Sequence, residues 1–192
     1  DLPGWRTHEG EWQAQADGSI LGKAVGGEMT LECKALIGDS FEIRGEFEFV
    51  KDVERLNQAG LLLACAPDLK ERGMRFRIDK RRERNNVELG NLERDVMGGV
   101  TLATGTRNRF LVQMWKRKVT VYVNGRPVYI ASDVSNRDID SVKAGVALCA
   151  SRKQGLNYEA RYRGLQVRRL AEMPEGFETG QRTDASKGSE PR

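Results

Sequence analysis

The sequence is most restrictive in what it lacks. It contains a single histidine, His8, and three cysteines, Cys33, Cys65 and Cys149, that are far apart and show no C-x-x-C spacing. Zinc sites draw mainly on those two residue types in close spacing, so a zinc centre is not expected, and each cysteine reads as a small buried hydrophobe, with one disulfide across neighbouring strands left open. A Ser-His-Asp arrangement has no partner for its serine, because His8 lies near the start of the chain. Gly98-Gly99 has no following lysine and helix, so a phosphate-cradling loop is absent. No apolar run approaches the roughly 20 residues that span a bilayer, and the given residues include no signal peptide, which leaves a lost targeting segment open. With Asp1 in first place it reads as a piece of a longer, processed protein with neighbouring domains. The compartment stays open, with the outside of the cytoplasm favoured.

Charge is plentiful but nearly balanced. The 192 residues hold 32 basic and 28 acidic side chains, a net charge of +4. Polyanion binding therefore needs a local patch rather than a global field, and specific nucleic-acid recognition is not expected. The length allows one domain with a substantial core.

The clearest local signal runs from Arg109 to Val128. Val119, Val121 and Val123 alternate with Thr120 and Tyr122, and Asn124-Gly125 follows before Val128 and Ile130 resume. Alternation marks a half-buried strand, and Asn-Gly supplies the two positive-φ residues of a tight hairpin. Similar patterns recur along the chain. Glu11–Ala16 and Ser19–Lys23 flank Asp17-Gly18, and Met29–Ala35 comes next. In Ser40–Val50, Phe41, Ile43, Phe47 and Phe49 point one way, while Glu42, Arg44, Glu46 and Glu48 form a solvated opposite face. Gly45 falls on the apolar side and marks a bend or bulge. Ala59–Ala66 is a continuous apolar run that suits a central strand. Met74–Lys80, Asn85–Gly90, Lys143–Ala150 and Asn157–Leu170 complete the set. Glu93–Gly105 reads as a loop, and Asp133–Ser141 has room for one helical turn. Many short strands with frequent turn signals predict an all-β, two-sheet antiparallel β-sandwich over residues 1–171. The last stretch, 172–192, has only Met173 and Phe177 as large apolar residues and reads as a flexible tail or linker.

These motifs carry a resemblance. Trp12 with Asp17-Gly18, SFEIRGEFEF from Ser40, NQAGLLLAC from Asn57, the run from Arg107-Asn108 to Asn124-Gly125, and the closing segments Gly145–Leu148 and Tyr162–Leu170 resemble a concanavalin A-like, laminin-G-like jelly roll. More narrowly they are similar to the bacterial 3-keto-disaccharide hydrolases, over most of residues 5–170. Two departures from that pattern stand out: Ser40 replaces an aspartate, and only His8 is available as a histidine. The resemblance thus implies a saccharide- or protein-binding module more than an inherited enzyme.

Several candidate sites follow. The outward face would carry Glu42, Arg44, Glu46, Arg75 and Arg77 as ligand contacts, with Trp115 and Tyr122 stacking on a sugar ring. Alternatively, Glu46 and Glu48 serve as the two carboxylates of a glycoside hydrolase or lyase. Residues i and i+2 on a strand lie roughly 6–7 Å apart, near the separations of about 5–10 Å that glycosidases use. Arg44 interrupts that acidic series. The basic run Arg72–Arg84 is a candidate polyanion patch. No cofactor is required. Calcium is the one ion left open, with Asp138 and Asp140, and also Asp52 and Asp79, as its donors. A structural adaptor without saccharide binding is the third reading.

Overall fold

A computed structural model describes residues 4–24, 29–33, 39–51, 57–62, 75–80, 85–89, 92–95, 104–133, 147–151 and 158–180. Its fourteen strands are β1 (Trp5–Glu9), β2 (Glu11–Ala14), β3 (Ile20–Ala24), β4 (Met29–Cys33), β5 (Phe41–Lys51), β6 (Asn57–Leu62), β7 (Arg75–Lys80), β8 (Asn85–Leu89), β9 (Leu92–Asp95), β10 (Asn108–Trp115), β11 (Lys118–Val123), β12 (Arg126–Asp133), β13 (Ala147–Ser151) and β14 (Tyr158–Arg169). They form two antiparallel seven-stranded sheets. One has the order β1-β4-β13-β6-β7-β8-β9, the other β12-β11-β10-β5-β14-β3-β2. Among the described residues there is no helix, and none is long and apolar enough to cross a membrane. The architecture is the antiparallel β-sandwich that the strand pattern predicts.

The core is built by the inner face of the second sheet. Phe41, Ile43, Phe49, Val112, Met114, Val119, Val121, Val123 and Ala160 are fully buried, and Phe47, Phe110 and Tyr162 nearly so. Phe47 packs edge-on against Phe49 at 5.8 Å between ring centroids and against Phe110 at 6.4 Å. Leu31 of β4 is buried as well. Trp12 lies across Gly22, where an added Cβ would sit 2.6 Å from the indole, and reaches Tyr162 at 6.3 Å.

The β11–β12 hairpin forms as expected, with Val123 opposite Arg126 and positive φ at Asn124 (50°) and Gly125 (79°). Beyond the turn the pairing slips, and Tyr129 rather than Ile130 is the buried residue of β12, Ile130 being 41% exposed. The strand β11 is not half-buried either. Thr120 and Tyr122 are 0% and 2% exposed.

The reason lies in the segment read as a tail. Residues 171–180 fold back onto the outer face of β11. Phe177 is 1% exposed, its carbonyl accepts a 2.8 Å bond from Thr120 Oγ1, and Lys118 pairs with Glu178 at 3.2 Å. The packed body therefore continues to Gly180, where an added Cβ would sit 2.7 Å from Ile130 Cδ1 and 3.3 Å from Pro127 Cβ.

A second departure concerns Glu93–Gly105, whose first residues belong to β9. Leu89 pairs with Leu92, so only Gly90-Asn91 separates β8 from β9, a two-residue hairpin signal that the non-alternating LERD segment masks. The helical turn expected over Asp133–Ser141 falls, beyond Asp133, outside the described residues. So does Cys65. Cys33 and Cys149 lie on adjacent strands, but Cys149 is opposite Thr30 rather than Cys33.

One irregularity shapes everything that follows. In β14, Arg163 pairs with Glu46 and Gln166 with Arg44, so Gly164 and Leu165 together oppose Gly45. This is a β-bulge with its first residue, Gly164, at φ 56°. The Leu165 side chain fills the space that Gly45 leaves. A Cβ on Gly45 would meet Leu165 Cδ2 at 2.8 Å and the Arg163 carbonyl at 3.1 Å.

Candidate functional site

The bulge changes which side chains of β14 face outward. Before it Arg161 and Arg163 share the outer face; after it Gln166 and Arg168 do. Uninterrupted alternation would have sent Gln166 and Arg168 inward. Opposite them on β5 stand Glu48, Glu46, Arg44 and Glu42, in register one for one. On the other side of β5, β10 contributes Arg109 opposite Glu46, Leu111 opposite Arg44 and Gln113 opposite Glu42.

These rows interlock. Arg168 forks onto Glu42, Nε to Oε1 at 3.1 Å and Nη2 to Oε2 at 3.0 Å, and Gln113 Nε2 adds a bond of 2.9 Å. Burial pushes the Glu42 carboxyl up, but the hydrogen bonds from Arg168 and Gln113 outweigh it and hold the group below its ordinary value. Glu48 takes Arg163 Nη1 at 2.7 Å on one oxygen and Arg161 Nη1 at 3.2 Å on the other, with Arg107 Nε 3.8 Å away. Arg109 Nε donates to Glu46 at 3.1 Å, and Arg44 Nε to Gln166 Oε1 at 2.7 Å. Arg163 also lies 3.6 Å from Asp17, a carboxylate lowered by its hydrogen bonds to the Ser19 hydroxyl and amide.

Between these rows a groove of about 860 Å³ opens on the outer face. Arg44, Glu46, Arg107, Arg109, Arg163 and Gln166 supply its polar groups, and Asn124 of the hairpin turn closes one end. Asn124 is fixed there by accepting from the Arg109 amide at 2.8 Å and donating to Asn108 at 3.0 Å. The volume falls within the roughly 300–1,000 Å³ of ligand sites.

The sequence-derived site survives in part. Glu42, Arg44, Glu46 and Glu48 do share the outer face of β5, but it is not a solvated face, since Glu42 and Glu48 are 5% and 7% exposed. Arg75 and Arg77 are on β7, in the other sheet, so they cannot complete this surface. Tyr122 borders the groove yet is too buried to stack on a ring. Trp115 is partly buried at the far end of β10, with Lys116 Nζ 5.8 Å from its ring. Tyr122 thus has no ring face open to a sugar, and Trp115 lies outside the lining of the groove. Glu48 has both oxygens engaged by arginine. The chain's one histidine is on β1 of the opposite sheet. Asp52, Asp138 and Asp140 lie outside the described residues, and among those described no three His, Cys, Asp or Glu side chains gather to hold a metal.

Arg109, Arg163, Asn124 and Gln166 are the groove residues that pattern reading misses. Gly164 in mid-strand was the available signal for the β14 pair, because an interior glycine marks a bulge and a change of face.

No family model matches the chain, and no curated protein matches it in sequence. Solved structures do match it in fold. The carbohydrate-binding module CBM66 from Bacillus subtilis superposes with a TM-score of 0.61 at 14% identity, over 86% of this chain and 95% of that one. Alginate lyase A1-II′ of polysaccharide lyase family 7 gives 0.59 at 11% identity, over 82% of each chain. A protein provisionally described as a glycosyl hydrolase, from Parabacteroides distasonis, gives 0.61 at 12% identity, over 88% and 90%. At such identities the likeness speaks for the fold alone, and it establishes this chain as a two-sheet antiparallel jelly roll of the concanavalin A-like type.

Proposed function

We propose that this jelly roll is a non-catalytic carbohydrate-binding module whose saccharide lies in the groove over β5, β10 and β14. The observation that carries the reading is a groove walled by hydrogen-bonding side chains that hold one another in place. Arg44 is braced by Gln166, Arg109 by Glu46, and Asn124 by Asn108. Prepositioned planar donors lose little freedom when a sugar binds. The fold neighbours add support, since a carbohydrate-binding module, a polysaccharide lyase and a glycosyl hydrolase share this frame. Fold sharing across unrelated functions is common, so the groove and not the likeness bears the argument.

The runner-up reading is catalysis, a glycoside hydrolase or lyase acting on a 3-keto disaccharide or similar sugar, with Glu46 and Glu48 as the carboxylates. The engagement of Glu48 by Arg161 and Arg163 weighs against it. An adaptor that binds a protein through its sheet edges is the third possibility.

A glycan array screened with and without calcium, together with assays of disaccharide and polysaccharide cleavage, separates the three. The module reading expects saccharide binding without turnover, and Glu46→Gln to leave the fold intact. Turnover that vanishes in Glu46→Gln would establish the enzyme instead, and the absence of any glycan bound would leave the adaptor.

A further inference from the structure

The groove is not electrically neutral. Arg44, Arg107, Arg109, Arg161, Arg163 and Arg168 face only four carboxylates, those of Glu42, Glu46, Glu48 and Asp17. Arg44 sits at the middle of the β5 row and is exposed. Its Nε donates to the neutral amide of Gln166, and the Glu42 carboxylate, which feels its charge, has both oxygens bonded by Arg168 and Gln113 instead. Its two Nη groups are left for a ligand. Arg107 and Arg109 are also open to solvent, with 62% and 82% of their side chains exposed. The two aromatic rings bordering the groove, Phe110 and Tyr122, are 4% and 2% exposed and offer no face to a pyranose. A neutral sugar usually needs such a face; an anionic one needs fixed guanidinium groups, whose forked N–H pairs match a planar oxyanion.

We infer that the ligand of this groove is an anionic saccharide, a glycan whose rings carry carboxylate or sulfate groups, and that Arg44 receives the anion. The inference rests on the carbohydrate-binding reading. It assigns the cationic site to the β5–β10–β14 face and not to the Arg72–Arg84 run, whose strand β7 belongs to the other sheet.

Titration calorimetry tests it with four probes: a polyuronate, the same polymer after carboxyl reduction, dextran sulfate, and poly-L-glutamate, each at low and near-physiological ionic strength. The expected result is binding to the polyuronate or the dextran sulfate that persists at the higher ionic strength; whichever binds tighter names the anion. Carboxyl reduction should weaken binding of the polyuronate at least about tenfold, and so should Arg44→Gln, the loss of one charge-assisted contact. Arg44 is exposed, so its variant should keep the parent's circular dichroism. The double variant Arg75→Gln, Arg77→Gln should bind as the parent does. Equal affinity for the reduced and native polyuronate, with no preference for dextran sulfate, would overturn the anionic ligand while leaving a carbohydrate module standing. Failure to bind any glycan would overturn both. Poly-L-glutamate binding as tightly as the glycans would show an unspecific anion patch. Parental affinity in Arg44→Gln, with loss in the β7 double variant, would move the site to the other sheet.

Discussion

Glu42 carries a carboxylate on a nearly inaccessible side chain, yet its two oxygens receive three donors from Arg168 and Gln113. Its folded pKa lies below the ordinary 4.5. A depressed carboxylate contributes stability that is fully present above its unfolded value and is lost as pH falls through the folded one. In urea titrations Glu42→Gln should therefore be less stable than the parent at neutral pH, by about 1–3 kcal/mol for losing charged hydrogen bonds. That gap should narrow steadily once the pH drops below 4.5. A gap independent of pH would mean that shape and not charge is what Glu42 supplies. At this scale the sequence was partly legible. Strict alternation from Phe41 to Phe49 placed Glu42, Arg44, Glu46 and Glu48 on one face correctly. It could not show that Glu42 and Glu48 are covered, because the covering arginines lie 113 to 126 residues away along the chain. The same limit explains Arg75 and Arg77: local periodicity gives the face of a strand but not the sheet to which it belongs.

At the level of the strand, the two glycines of the β5–β14 crossing have different tasks. Gly45 makes room for Leu165, so Gly45→Ala drives a methyl into a filled space and should destabilise by about 1–3 kcal/mol. Adding Leu165→Ala should recover part of that loss. Gly164 has nothing within 4 Å of an added Cβ, and its requirement is conformational, φ 56°. Gly164→Ala should cost only about 1–2 kcal/mol, with no rescue from Leu165→Ala. Chemical denaturation of the four variants distinguishes the cases, and equal rescue in both would contradict the assignment. Gly45 was recognisable in the sequence as an irregular position, since it interrupts an apolar face. That the bulge sits in the partner strand was not, because a glycine with a missing side chain says nothing about what fills the gap. Most strands could be read because alternation and turn residues agree, as at Asn124-Gly125. The strand β9 was overlooked because LERD lacks that agreement and is held by its pairing with β8.

Taken as a whole, the molecule is a sandwich that carries a cationic groove, with residues 171–180 laid on the neighbouring strand β11. Phe177 anchors that segment, and Phe177→Ala should lower stability by about 3–5 kcal/mol, the cost of emptying a buried aromatic site. Thr120 and Tyr122 should then become accessible to solvent, which tyrosine fluorescence quenching or hydrogen exchange can follow. If Phe177→Ala unfolds at the parent's urea midpoint, the segment does not belong to the packed body. A single phenylalanine in a polar stretch was the sequence trace of this docking, and composition averaged over the stretch concealed it. The jelly roll itself was legible because turns and alternation specify it; the cationic groove was not, because its parts come from three strands that meet only after folding. The bulge at Gly164-Leu165 ties these levels together, since it acts as a change of reading frame within a single strand. Deleting Leu165 would take out the extra residue and close the bulge, yet Gln166 would still stand opposite Arg44 and Arg168 opposite Glu42, both facing outward. The loss would fall on the opposite side, where Leu165 fills the space beside Gly45. A single codon removed from the gene at that point would thus hollow the core while sparing the frame of the groove.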